Sequence, residues 1–185
     1  MDDAFPPQLP EVRESPRELL GRLAAHVGEA RAAALCAQVL TDETPKGHPE
    51  TVRFLGGAAG EVVLAEGRGW PPYWSKVWGA RGLLYVWDDS AAAAVLDGLG
   101  DASWRVAEMC LKVATRRGLP CGDDAVRLAG HERPRVRAAA LRALAVSGDT
   151  EHVDAVRTAL DDPDEDVRRA AGRALERLEQ RLDLG

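Results

Sequence analysis

Residues 160–178 read LDDPDEDVRRAAGRALERL. An acidic turn, interrupted by Pro163, runs directly into a segment whose Val167, Ala170, Ala171 and Ala174 stand at offsets 0, +3, +4 and +7. That spacing puts the four on one side of a 3.6-residue helix, facing a core. The pattern recurs upstream. SKVWGARGLLYV, WRVAEMCLKVAT and PRVRAAALRALA align with EDVRRAAGRALE on Val77, Val106, Val136 and Val167, which are 29, 30 and 31 residues apart. Shorter helical segments precede the last three: SAAAAVLDGL (90–99), DDAVRLAG (123–130) and DTEHVDAVRTAL (149–160). Paired helices at a fixed period, with no alternating strand pattern, predict an α-solenoid.

The turn-and-helix pattern of residues 160–178 resembles HEAT repeats, in particular the short HEAT-like repeats also found in bilin lyases and deoxyhypusine hydroxylases. The resemblance covers about residues 49–182, most strongly after residue 100, and extends to small HEAT-repeat proteins of high-GC actinobacteria. It implies an all-α, right-handed α-solenoid of about four HEAT-like helical repeats with an N-terminal helical extension. The chain then divides into a flexible N-terminal arm (1–14), an N-terminal helical segment with a divergent half-repeat (15–72), and the HEAT-like repeats (73–185). Within the second segment, Ser15-Pro16-Arg17-Glu18 reads as a capping box that opens a helix through Leu40. Residues 49–67 read as a further helix weakened by Gly56, Gly57 and Gly60.

In such repeats the second helices line the concave face, so their outward positions matter most for binding. Position −1 relative to the valine supplies Lys76, Arg105 and Arg135; position +6 supplies Lys112, Arg142 and Arg173. Both lie on one flank of the helix, and stacking predicts a basic stripe. Acidic residues gather instead on first helices and loops, at Asp97, Asp101, Asp123, Asp124, Asp149, Asp154, Asp161 and Asp162. Two readings stand side by side. The arginines pair with aspartates of adjacent repeats, or they line a groove for an acidic peptide or a nucleic acid.

The aromatic residues are concentrated. Seven of the nine fall between Trp70 and Trp104. Trp74 and Trp78 are four apart on one helix and positioned to stack. Trp78 takes position +1, where later repeats carry Arg137 and Arg168, and Arg81 takes a core position where they carry Cys or Ala. An arginine near a core needs a carboxylate, and Asp88, Asp89 and Glu108 are the candidates nearest in sequence. The tryptophans either fill the junction between the irregular N-terminal portion and the regular repeats or anchor a partner.

Composition narrows the function classes. The net charge is −6, which argues against bulk binding to nucleic acid or anionic membrane. Cys36, Cys110 and Cys121 form no CxxC pair and fit reduced structural thiols of a cytoplasmic protein. The acidic, proline-broken start MDDAFPPQLP is unlike a signal peptide, and no apolar run is long enough for a membrane span. Catalytic and metal sites are not expected. Asp162-Pro-Asp164-Glu-Asp166 imitates an EF-hand loop, but the glycine and bidentate-glutamate positions hold Val167 and Arg173. Deoxyhypusine hydroxylases bind iron through repeated His-Glu pairs, and this chain has one, His131-Glu132, before Pro134. No dinucleotide fingerprint, Walker A loop or GxSxG is present.

The expectation is therefore a non-catalytic, cofactor-free interaction or scaffold module binding another protein, through an acidic or apolar segment, along its second helices. The expected contact residues are Trp74, Trp78, Arg81, Arg105, Lys112, Arg135, Arg142 and Arg173. The alternative is a HEAT-like nucleic-acid binder related to alkylpurine DNA glycosylases, which use a basic concave face with tryptophans around an extruded nucleotide.

Overall fold

The computed structural model describes residues 5–6 and 14–183. All regular structure among them is helical. The chain divides into two compact units between Gly98 and Leu99. The first holds α1 (Pro16–Val27), α2 (Glu29–Thr41), α3 (Pro49–Gly56), α4 (Ala58–Leu64), α5 (Tyr73–Gly82) and α6 (Ala92–Asp97). The second holds α7 (Trp104–Arg117), α8 (Gly122–Ala129), α9 (Pro134–Ser147), α10 (Val153–Thr158) and α11 (Glu165–Leu182). None of the described helices is long and apolar enough to cross a membrane.

In the N-terminal unit the capping box forms as expected. Ser15 Oγ accepts the Glu18 N–H at 3.3 Å, and the Ser15 N–H donates to Glu18 Oε2 at 2.8 Å. The helix that follows stops at Val27 rather than running to Leu40. Gly28 adopts φ 87°, and a second helix starts after it. Gly57, at φ 55°, splits residues 49–67 into α3 and α4 in the same way. Left-handed backbone costs any residue with a Cβ about 1–2 kcal/mol, so glycine punctuates where hydrophobic spacing alone reads through.

The helix of residues 73–82 packs inside this unit, against α2 and α3. Its approach to α2 is very close. A Cβ on Gly79 would stand 2.6 Å from the Cys36 carbonyl oxygen, and one on Gly82 would stand 2.5 Å from Cys36 Sγ. Burial pushes the Cys36 thiol up to about 12, so it packs as a small apolar group. Cys110 and Cys121 are also buried. Most of the expected N-terminal arm, residues 1–4 and 7–13, lies outside the described residues. Phe5 stacks on Phe54 with ring centroids 5.1 Å apart, and Glu14 pairs with Arg22 at 2.6 Å.

In the C-terminal unit the repeat pattern becomes a core. Val106, Cys110 and Val113 of α7, Val136, Ala139, Ala140 and Ala143 of α9, and Val167, Ala170, Ala171 and Ala174 of α11 are all buried. Only Met109 of that set is half-exposed. The central helix α9 packs against α7, α8 and α11. Each second helix is entered through the same turn. Asp101, His131 and Asp162 stand five residues before the repeat valine. Each accepts the N–H two residues on: Ser103 at 2.8 Å, Arg133 at 2.9 Å and Asp164 at 2.9 Å. These are Asx-type turns, with an imidazole nitrogen replacing the carboxylate in the middle repeat. Asp164 then caps α11, accepting from the Asp166 and Val167 amides at 2.9 and 3.2 Å. Of the acids that imitate an EF-hand loop, Asp162 thus forms the turn, Asp164 forms the cap, and Asp166 pairs with Arg169.

Candidate functional site

The seam between α7 and α9 gathers four of the eight expected contact residues, Arg105, Lys112, Arg135 and Arg142. Trp104 opens α7, and the Arg105 guanidinium lies 4.3 Å from its ring centroid. Those of Arg133 and Arg135 lie 5.8 Å away, giving one indole three cationic neighbours. One turn on, Glu108 is buried at 7% exposure. Its Oε1 accepts from Lys112 Nζ at 2.8 Å and from Arg135 Nη2 and Nε at 3.1 and 3.3 Å. Another turn on, Lys112, Thr115, Ala139 and Arg142 line a cavity of about 130 Å³. Arg173 is exposed at the matching position of α11.

Two of the basic stripe residues are paired, and with a glutamate of α7 rather than with aspartates of first helices or loops. Lys112 and Arg135 share Glu108, an intrahelical and a neighbouring-repeat partner respectively. Arg142 and Arg173 are exposed with no ion pair among the described residues. The strongest inter-repeat pair involves neither flank position. Arg137, at +1, holds Asp162 with Nε–Oδ2 and Nη2–Oδ1 distances of 2.8 and 2.7 Å. Its Nη1 also donates to the His131 and Glu132 carbonyls at 3.0 and 3.2 Å. Arg168 repeats the gesture toward the Asp162 and Pro163 carbonyls at 2.7 and 3.0 Å. The sequence signal for this clamp, arginine at +1 in both repeats, was visible. So was the i,i+4 spacing of Glu108 and Lys112 that marks their pair.

Trp78 needs correction as a partner anchor. It is 4% exposed, which leaves almost no ring surface for a partner. The ring fills the space where a Cβ on Gly56 would stand, so it serves the α3–α5 contact. Trp74 is half-buried, with its centroid 6.4 Å from Trp78, 5.1 Å from Trp70 and 5.9 Å from Tyr73. Trp70 forms the outer edge at 36% exposure. This aromatic stack belongs to the N-terminal unit.

The expected carboxylates for Arg81 are all committed elsewhere. Asp88 Oδ1 accepts the Ser90 N–H at 3.0 Å, Asp89 accepts the Trp87 indole N–H at 2.9 Å, and Glu108 is shared as described. Among the described residues Arg81 has no ion pair. It is half-buried, and burial pulls its guanidinium below the ordinary arginine value, with neighbouring Tyr85 opposing.

One other cluster has ligand-type atoms. Asp123, Glu151 and His152 offer one each within 4.8 Å of one another, beside a cavity of about 310 Å³. The imidazole geometry opposes a metal there. The Asp149 N–H donates to His152 Nδ1 at 2.7 Å, so Nδ1 is bare and the neutral ring carries its proton on Nε2. Nε2 faces Asp123 Oδ1 at 3.3 Å and Glu151 Oε1 at 3.7 Å. A metal on Nε2 would have to displace that proton and leave an imidazolate. His131 is likewise engaged, accepting at Nδ1 from the Arg133 amide.

Residues 123–183, spanning α8 to α11, match the HEAT-repeat family model. Two engineered proteins of known structure are similar over most of their length. One is 19% identical over 89% of this chain and 89% of its own, with a TM-score of 0.51. The other is 18% identical over 92% and 95%, with a TM-score of 0.53. Human deoxyhypusine hydroxylase in complex with glycerol is 17% identical over 91% of this chain and 81% of its own, at a TM-score of 0.50. At these identities the likeness shows the fold alone. No curated protein matches the sequence.

Proposed function

We propose that the HEAT repeats of residues 123–183, together with α7 before them, form a non-catalytic docking surface for an acidic segment of another protein. The observation that carries this reading is the charge of the α7–α9 seam. The two helices contain seven basic residues and one acidic residue, Glu108, in a chain of net charge −6. Positions −1 and +6 on one helix are seven residues apart, or about 10 Å at 1.5 Å per residue. Carboxylates three residues apart in a polyproline-II segment lie on one face with nearly the same separation, about 9 Å. Arg105, Lys112, Arg135, Arg142 and Arg173 thus supply a ladder of cations for glutamates or aspartates at every third position. The three buried thiols suit a reducing cytoplasm.

A second reading rests on Trp104. An indole ringed by guanidinium groups is also a stacking platform for a nucleic-acid base. Titration calorimetry separates the two. The probes are a peptide with glutamate at every third position, its glutamine counterpart, and a single-stranded oligonucleotide. Micromolar binding of the acidic peptide at low salt, lost in Arg142→Glu, supports docking. No binding of the acidic peptide by the wild type sinks it. Tighter binding of the oligonucleotide, falling steeply with salt, replaces it with the nucleic-acid reading.

A further inference from the structure

Glu108 is the only carboxylate on α7 and α9, and it is buried at the centre of their basic seam. One oxygen of it receives all three donor contacts, from Lys112 at 2.8 Å and from Arg135 at 3.1 and 3.3 Å. The two cations remain accessible, with side chains 40% and 69% exposed. Lys112 also lines the cavity it shares with Arg142, which has no carboxylate among the described residues. An acidic ligand entering that cavity therefore meets one free cation and one already held by an internal anion.

We propose that Glu108 is an internal competitor that sets the threshold of the surface, occupying the position a ligand carboxylate takes and restricting tight binding to multiply acidic segments. This rests on the docking reading above. A ligand carboxylate must draw Lys112 or Arg135 away from Glu108, and a single one gains little from the exchange. Several acting together gain from Arg105, Arg142 and Arg173 as well. Lys112 and Arg135 are the exposed ends of their pairs, so each contact a ligand makes with them is individually weak and the exchange is readily reversed. Electrostatic complementarity acts here on selectivity more than on raw affinity.

The test replaces Glu108 while keeping its volume. Glu108→Gln retains an acceptor oxygen without charge, and Glu108→Met removes both. Thermal melts confirm that each folds. Calorimetry then compares peptides carrying one glutamate and three glutamates against wild type and both variants. The expected result is a gain of about three- to tenfold for each peptide. The gain is proportionally larger for the single-glutamate peptide, so selectivity for multiple charges narrows. It disappears when Lys112→Gln and Arg135→Gln are added to Glu108→Gln. If the wild type binds the three-glutamate peptide and Arg142→Glu abolishes it, but both Glu108 variants bind unchanged or more weakly, the competitor role is overturned and docking stands. Failure of both variants to fold assigns Glu108 to the fold and overturns it too. If no peptide binds the wild type, the docking reading itself has failed.

Discussion

Arg137 on α9 grips Asp162, in the loop entering α11, through both carboxylate oxygens at 2.8 and 2.7 Å. The side chains are only 13% and 11% exposed. The same guanidinium closes its own entry loop by donating to the His131 and Glu132 carbonyls. One side chain therefore fixes two consecutive turns and sets the register between repeats. A planar, forked guanidinium is suited to this, and an ammonium is not.

Removing one partner leaves the other buried and charged. Asp162→Ala should destabilise the C-terminal unit by about 2–4 kcal/mol, and Arg137→Lys by about 1–2 kcal/mol. Urea denaturation of both single variants and the double variant gives the coupling. A coupling near zero would show that the grip contributes nothing.

The pH dependence has a definite sign. Hydrogen bonds from Arg137 hold the Asp162 carboxyl below the ordinary carboxylate range, with burial opposing. Its folded value is thus lower than its unfolded value of about 3.9. The stability it contributes is complete above that unfolded value and is lost as pH falls through the folded one. The difference between wild type and Asp162→Asn should be constant from about pH 5 to 8 and shrink below about pH 4. Chemical denaturation at a series of pH values measures it. A difference that grows on acidification contradicts the assignment.

Two helical glycines should respond oppositely to the same substitution. Gly79→Ala drives a methyl to 2.6 Å from the Cys36 carbonyl oxygen. It should cost about 1–3 kcal/mol. Gly172, exposed within α11, has nothing within 4 Å of its Cβ position. Gly172→Ala should therefore stabilise by about 0.5–1 kcal/mol. Calorimetric melting of both variants checks the pair, and equal effects would refute the packing argument.

The bare Nδ1 of His152 makes a further pair. Asn retains an oxygen to accept the Asp149 amide, and leucine does not. His152→Leu should lose about 1–3 kcal/mol more than His152→Asn. Zinc at micromolar concentration should leave the wild-type melting midpoint unchanged. A midpoint raised by zinc and insensitive in His152→Asn would establish the metal site that the tautomer opposes.

Much of the fold was legible because it rests on periodicity. The 0, +3, +4, +7 spacing of small and apolar residues in 106–113, 136–143 and 167–174 marked a buried face, and burial follows it at every position but Met109. The breaks at Gly28 and Gly57 were not legible from hydrophobic spacing, because a positive φ changes direction without changing the pattern. Trp78 was misleading for a related reason. Alignment gave its position on the helix, but its burial depends on Gly56, a residue outside the repeat. Arg81 shows the same limit. Its neighbours in sequence are acidic, yet each carboxylate has a nearer donor. The basic flank positions were recognisable from spacing, and the sharing of Glu108 between two helices required the third dimension.

The distribution of indoles has a practical consequence. Trp70, Trp74, Trp78 and Trp87 fall within the N-terminal unit, and Trp104 is the sole tryptophan of the C-terminal unit. Trp104 sits beneath the Arg105 guanidinium at the mouth of the seam. In these 185 residues labelled with 5-fluorotryptophan, one fluorine resonance, assigned by Trp104→Phe, therefore reports on that mouth. Its chemical shift should move whenever an arriving carboxylate draws the guanidinium off the ring. The four other resonances serve as an internal reference, so the chain carries its own spectroscopic label where an encounter with a partner would first be felt.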